Sequence, residues 1–259
     1  MPPMPVRPPT KMNRELDQIA QWIRSARSVI AFTGAGISTE SGIPDFRSPG
    51  GIWSQSQPVL YQDFVASAEA RHEYWRQKSI AHRDFAACEP NVGHRTLAHW
   101  EQQGRLKAVI TQNIDGLHQA AGSRRVLELH GTARQVACLR CPFRSDADKW
   151  VRSFIATDIV PRCPQCAGPL KHATISFGQS LDQELLTEAR QLSQMADLFL
   201  AIGSSLVVEP AASLPKYAQQ QGAHLVIINR DPTPHDDVAE LVLRCEIGST
   251  LAAIDSRLS

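Results

Sequence analysis

The chain has 259 residues, 42% of them hydrophobic, enough for one large domain or a domain with an insert, and for a sizeable buried core. A net charge of +1 argues against nucleic acid or an anionic membrane as a direct partner. No apolar run approaches the roughly 18 residues of a membrane helix, and the proline-rich start, residues 1–10, lacks the apolar segment of a secretory signal and reads as a disordered tail.

From Met12 to Arg27 the pattern is helical, with Leu16, Ile19, Ala20 and Ile23 on one stripe and Asn13 as the expected N-cap. The buried strand Val29–Phe32 follows and empties into Gly34-Ala35-Gly36. Glycines at this spacing let backbone N–H groups approach a phosphate, as in the first turn of a dinucleotide-binding fold. The G-x-G-x-x-G fingerprint is incomplete, because Thr39 stands where the third glycine falls. A lone glycine pair is also compatible with an ordinary tight turn.

Phe46 to Pro90 carries a Ser48-Pro49-Gly50-Gly51 loop and then Trp53, Tyr61, Phe64, Tyr74, Trp75 and Phe85 in largely helical surroundings from Asp63 to Ala87. It reads as a helical excursion able to cover a cofactor. A helix then opens at Pro90-Asn91 and closes at Gly104, before a strand from Leu106 to Thr111. A short helix ends at Gly122, and the strand Val126–Leu129 delivers His130 and Gly131. Thr132 to Leu170 breaks the α/β rhythm as an inserted module. The rhythm resumes with Ile175–Phe177, a helix marked by Leu185, Ala189 and Leu192, the strand Asp197–Ile202, a helix Pro210–Gln221 with Pro210 at its first position, the strand Ala223–Ile228, the strand Leu241–Leu243 and a closing helix. Strands alternating with helices specify an α/β class: a doubly wound, Rossmann-like, mostly parallel sheet with a small inserted domain. The expected division assigns 11–45, 91–133 and 171–259 to the sheet domain, and 46–90 and 134–170 to the small one.

Six cysteines occur. Cys138, Cys141, Cys163 and Cys166 form two C-x-x-C pairs about twenty residues apart, a spacing that suits one tetrahedral, structural Zn2+ and less readily two redox pairs. Cys88 and Cys245 read as buried small side chains. Four polar segments end strands: the glycine turn, Gln112–Asp115, Gly203–Ser205 and Asn229–Asp231. In a doubly wound sheet these ends share one ligand-binding rim. Glycine N–H groups and serine hydroxyls suit phosphate, and Asn or Asp suits ribose; the alternative is four ordinary polar loops. His130 leaves a strand before a glycine and is the outstanding general-base candidate. His94, His118 and His172 read as structural.

These motifs in order, Gly34 to Ser38, Gly42 to Arg47 (G-I-P-D-F-R), Thr111 to His118 (T-Q-N-I-D-G-L-H), Leu129-His130-Gly131, the paired C-x-x-C, Phe177-Gly178, Gly203 to Leu206 and Asn229-Arg230, resemble the sirtuins from about Lys11 to the C-terminus. The resemblance implies NAD-dependent removal of an acyl group from protein lysine, releasing nicotinamide and leaving the acyl group on ADP-ribose. It implies His130 as the base activating a ribose hydroxyl and Asn113 and Asp115 as further catalytic residues. Asn113 orients the nicotinamide ribose, and Ile114 and Asp115 hold the nicotinamide amide. Gly34, Ala35, Gly36, Ser38, Arg47 and Gln112 belong to the NAD site, and Phe46 blocks the return of nicotinamide. Gly203, Ser204, Ser205, Asn229 and Arg230 contact phosphate and adenosine ribose, with Glu246 at the adenine end. Phe177, Gly178 and Val207 border the acyl-lysine peptide, which adds as a strand.

Many sirtuins have an acidic residue after the Phe-Gly; here it is Gln179. The Tyr-x-x-Arg of sirtuins that favour acidic acyl groups is also missing, since Glu73 stands three residues before Arg76. A glutamate in the acyl pocket would repel a succinyl carboxylate, so acetyl or another neutral acyl group is expected over succinyl. ADP-ribose transfer to protein and non-enzymatic NAD binding are the rival readings. The presence of His130 favours deacylation. A cytoplasmic monomer is expected.

Overall fold

The computed structural model describes residues 10–45 and 57–258. Its centre is β1 (Val29–Thr33), buried at every position. It pairs in parallel with β2 (Ala108–Thr111) on one side and, on the other, with a strand late in the chain, β7 (Leu198–Ile202). With β3 (Val126–Glu128), β8 (His224–Ile228) and β9 (Leu241–Leu243) they form a parallel six-stranded sheet of order β3-β2-β1-β7-β8-β9. The order reverses at β1, so the carboxyl ends of β1 and β7 flank the crevice where such sheets take ligands.

Alternate side chains of a strand leave on opposite faces, and two separate cores result. Val29 and Ala31 pack with Ile19 of α1 (Lys11–Ser25), Trp100 of α4 (Val92–Gln102) and Leu251 of α9 (Ile247–Asp255). Ile30 and Phe32 pack with Ala189 of α7 (Gln183–Gln194) and Ala218 of α8 (Leu214–Gln220). Both faces are covered, which is why these strands read as unbroken apolar runs.

A second, antiparallel sheet has the order β5-β4-β6, built from β4 (Gly131–Cys138), β5 (Arg144–Asp146) and β6 (Leu170–Thr174). Phe64 of α2 (Tyr61–Ala66), Tyr74 and Trp75 of α3 (Ala68–Ala86) and Phe154 of α6 (Asp148–Thr157) complete a third core against Val136 and Leu170.

Several expectations change here. Thr10, not Asn13, caps α1, its hydroxyl accepting from the Asn13 N–H at 3.3 Å. The expected helix from Asp63 to Ala87 is interrupted at Ser67, whose hydroxyl accepts from the Ala70 N–H and starts α3 afresh. Ile175–Phe177, where the α/β rhythm was expected to resume, follows a strand of the second sheet, β6. The segment after Pro210 is a 3-10 turn, Ala211–Ser213, and α8 starts at Leu214 with Pro215 in its first turn. The expected tail falls almost wholly outside the described residues. Among the described residues no helix is long and apolar enough to cross a membrane.

Asn91 links the layers. Its carbonyl oxygen caps α4 by accepting from the His94 N–H at 3.3 Å, and its amide donates to the Ile37 carbonyl at 2.7 Å and the Ser41 hydroxyl at 3.0 Å. Asn91→Ala loses a cap and both hydrogen bonds that tie α4 to the 3-10 helix, so unfolding free energy is expected to fall by about 2–3 kcal/mol in chemical denaturation. A loss under about 0.5 kcal/mol would show that this tie contributes nothing.

Candidate active site

After β1 the chain turns through Gly34 into a 3-10 helix, Ala35–Ser41. The Gly34 N–H donates to the Ile202 carbonyl at 3.0 Å and that of Gly36 to the Gly203 carbonyl at 2.8 Å. A Cβ at Gly36 would stand 2.8 Å from the Gly203 Cα, and one at Gly34 would stand 2.7 Å from the Gly203 oxygen. These glycines therefore let the ends of β1 and β7 interlock. That contact, and not only room for phosphate, excludes a side chain at either position.

A cavity of about 480 Å³ opens over this junction. Ala35, Gly36, Gln112, Asn113, Ile114 and His130 line it from the first three strand ends. Gly203, Ser204 and Ser205 line it beyond β7, and Asn229 and Arg230 beyond β8, with Glu246 at the start of α9. Phe177 and Gly178 border it from the segment after β6. The four strand-end segments thus meet in one place. Gly34, Ser38, Asp115 and Val207 are not on the wall. Phe46 and Arg47 lie outside the described residues.

Asp115 sits behind the wall. Its carboxylate accepts from the Ser38 hydroxyl at 2.8 Å and the Leu117 N–H at 2.9 Å. Asn113 donates its amide to the Gly34 carbonyl and the Ser38 hydroxyl, both at 3.1 Å. Both amide hydrogens are thereby used within the protein, so what Asn113 offers the cavity is its carbonyl oxygen. Ser204 donates to the Gln112 side-chain oxygen at 2.7 Å, tying the β2 and β7 ends together.

His130 Nδ1 lies 3.0 Å from the Gln112 carbonyl oxygen. A carbonyl can only accept, so Nδ1 carries the proton and Nε2 presents its lone pair. Burial lowers the pKa of His130 below the ordinary histidine value, opposed by that hydrogen bond. The ring is therefore neutral near pH 7 and suited to accept a proton. Gly131, at φ +71°, turns the chain immediately into β4, and a Cβ there would meet the Ala173 carbonyl at 2.0 Å.

The other histidines do not reach the cavity wall. His118 Nε2 bonds the Thr33 hydroxyl at 2.9 Å, and burial holds its pKa down to about 3 and that of His94 to about 4. Tyr74, Gln77 and Lys78 also line the cavity, from α3, and Thr174 lines it from β6, none of them expected from the sequence. Sequence reasoning places Glu73 in the acyl pocket. Glu73 instead turns away and binds Arg76 through two 2.7 Å contacts. Helical spacing was the available signal: Tyr74, Gln77, Lys78 and Ala81 fall at i, i+3, i+4 and i+7, on one face.

The four cysteine sulfurs lie within 4.8 Å of one another, with Cys138–Cys166 at 3.4 Å and Cys141–Cys163 at 3.5 Å. Tetrahedral Zn–S bonds of about 2.3 Å place sulfurs roughly 3.8 Å apart, so the cluster fits one Zn2+ with every position filled by protein.

Fold and rim together are those of a doubly wound sheet with a ligand cavity at its strand ends and a neutral imidazole in its wall. A model of the Sir2 family matches residues 34–210. An "NAD-dependent protein deacetylase" of Rhodopseudomonas palustris is 50% identical over 239 residues, 91% of this chain and 94% of that protein. "NAD-dependent protein deacetylase 1" of Bradyrhizobium diazoefficiens is 50% identical over 238 residues, covering 91% and 93%. The solved structure "Sir2-p53 peptide-NAD+" is 37% identical with a TM-score of 0.84, covering 92% of this chain and 96% of that one. The chain belongs to the Sir2 family.

Proposed function

We propose that this protein is an NAD-dependent protein lysine deacetylase that transfers the acyl group to ADP-ribose. The carrying observation is His130, neutral, with Nδ1 fixed on the Gln112 carbonyl and Nε2 left to act as base within the strand-end cavity. NAD+, when bound, supplies an electrophilic ribose carbon from which nicotinamide leaves and to which the acyl oxygen adds.

The chain's own residues do the rest. Asn113 turns its carbonyl oxygen toward the nicotinamide ribose and holds its geometry through Gly34 and Ser38. Nε2 of His130 takes the proton of a ribose hydroxyl so that the oxygen can attack the acyl carbon. Asp115 acts through its grip on Ser38 and the Leu117 N–H, which orients Asn113. Gly203, Ser204 and Ser205 serve the phosphates, and Asn229, Arg230 and Glu246 the adenosine end. The exposed side chains of Phe177 and Val207, 46% and 50% accessible, suit contact with a peptide laid across the cavity mouth. One Zn2+ on the four cysteines is structural.

Four metal-binding thiolates suit a reducing compartment, which supports a cytoplasmic location.

An acetyl-lysine peptide incubated with the protein, with and without NAD+, tests this by mass spectrometry. Loss of 42 Da, about one acetyl group, that requires NAD+ and yields acetyl-ADP-ribose is expected. Label from the adenosine of NAD+ arriving on protein would instead identify an ADP-ribosyltransferase. NAD+ binding with no nicotinamide release would identify a non-enzymatic binder.

A further inference from the structure

Helix α9 does not cap itself. Glu246 stands at its N-cap position in extended backbone, φ −62° and ψ 131°, and its side chain makes no capping hydrogen bond. The residues that favour this position, Ser, Thr, Asp and Asn, have short side chains that reach the second or third helical N–H, and glutamate is not among them. The N–H of Gly248, the second residue of the helix, donates instead to Glu40 Oε1 at 2.8 Å. Glu40 belongs to the 3-10 helix Ala35–Ser41 that leaves β1, 208 residues away along the chain. A carboxylate in this place also meets the positive end of the α9 dipole.

The glycine is matched to this contact. A Cβ at Gly248 would stand 2.2 Å from Glu40 Oε2, and the three atoms nearest to it all belong to the Glu40 carboxyl group. Alanine there would therefore push aside the end of a flexible side chain and leave the backbone where it is. Glycine is a poor helix former, so the start of α9 gives up helix propensity to admit the carboxylate.

Both elements line the ligand cavity. Thr39 and Glu40 line it from the 3-10 helix, and Cys245, Glu246 and Ile247 line it from the start of α9. One hydrogen bond thus ties two walls of the adenosine end together, and Glu246, relieved of capping, keeps its carboxylate for the cavity. Asn91 holds the same 3-10 helix from α4 through Ile37 and Ser41, so this element stays attached when the Glu40 tie is cut.

We propose that Glu40 is a positioning residue for the dinucleotide: by capping α9 from the other side of the cavity, it sets the spacing of the two walls that receive the adenosine half of NAD+. This rests on the NAD-dependent reading of the cavity.

Calorimetric titration with ADP-ribose, which needs neither peptide nor turnover, tests it on the wild type, Glu40→Ala, Glu40→Gln, Gly248→Ala and the double variant Glu40→Ala/Gly248→Ala. Glu40→Ala and Gly248→Ala are each expected to raise Kd about tenfold. Glu40→Gln keeps an oxygen that accepts from the Gly248 N–H, so its Kd should stay within about threefold of wild type. The double variant should bind no worse than either single one, because both remove the same contact. KM for NAD+ at saturating acetyl-lysine peptide should rise in parallel, with kcat changed by less than about twofold. The titration stoichiometry reports the folded fraction, so a variant that is merely unstable loses sites and keeps its Kd. A Kd within about twofold of wild type in Glu40→Ala and Gly248→Ala overturns the proposal alone. So does a Glu40→Gln as weak as Glu40→Ala, or losses that add in the double variant. If the wild type binds no ADP-ribose, the NAD-dependent reading falls and this proposal with it.

Discussion

His130→Ala is expected to lower kcat for NAD+-dependent deacetylation by about two to four orders of magnitude, the usual contribution of a positioned general base. Folding should be spared, because the only described hydrogen bond of the ring is to the Gln112 carbonyl, and that carbonyl borders the cavity where water can replace it. Nicotinamide release should suffer less than acyl transfer, since in the proposed reaction His130 acts on the ribose hydroxyl after the nicotinamide bond has broken. The pH profile gives an independent reading. His130 has its pKa lowered by burial, so its base form persists below the ordinary histidine range. Activity should rise with pH along an acid limb centred below about 6.5 and flatten above it, and His130→Ala should abolish that limb. A variant retaining more than a tenth of wild-type kcat, with the limb intact, would remove His130 from the chemistry.

Loss of the metal is expected to have the second large effect. Cys138 ends β4, Cys163 and Cys166 lie on the loop that leads into β6, and the Cys163 N–H donates to the Gly168 carbonyl at 2.9 Å. Four thiolates on one ion thus join the ends of two paired strands. The core beneath is small, built on Phe64, Trp75, Val136, Phe154 and Leu170. Zinc contributes roughly 10 kcal/mol or more to folding of isolated zinc modules, comparable with the whole stability of a typical domain. Cys163→Ser, or exhaustive chelation, should therefore lower Tm by more than about 10 °C and abolish activity together with the bound zinc. Release of one zinc per chain, followed by atomic absorption, with Tm and activity unchanged, would show that the four thiolates are not a structural centre.

What could be read from the residues depended on whether burial and chemistry agreed. Val29–Phe32 and Leu198–Ile202 are apolar throughout and buried throughout, so their strands were legible. The start of α4 at Pro90-Asn91 and the four cysteines were legible because both rest on side-chain chemistry at fixed spacing. β6 was missed because Leu170–Thr174 includes Lys171 and His172, polar residues that are nonetheless buried. Only tertiary packing against Tyr74 and Trp75 explains their position. The rim was recovered as a set of segments, but not the depth of each residue. Asp115 and Ser38 belong to the layer behind Asn113, which no spacing rule reveals. Glu73 was misplaced for a simpler reason: one residue along a helix is 100°, enough to exchange the cavity for solvent.

His130 occupies a single link between the two sheets. The preceding Leu129 N–H is held by the Thr111 carbonyl of the large sheet at 2.9 Å, while the His130 carbonyl accepts from Ile175 at 2.8 Å, where the chain leaves the small sheet. His130 is thus mounted where the two sheets join. The position of Nε2 is therefore set by both sheets at once, through the same backbone that spans the cleft.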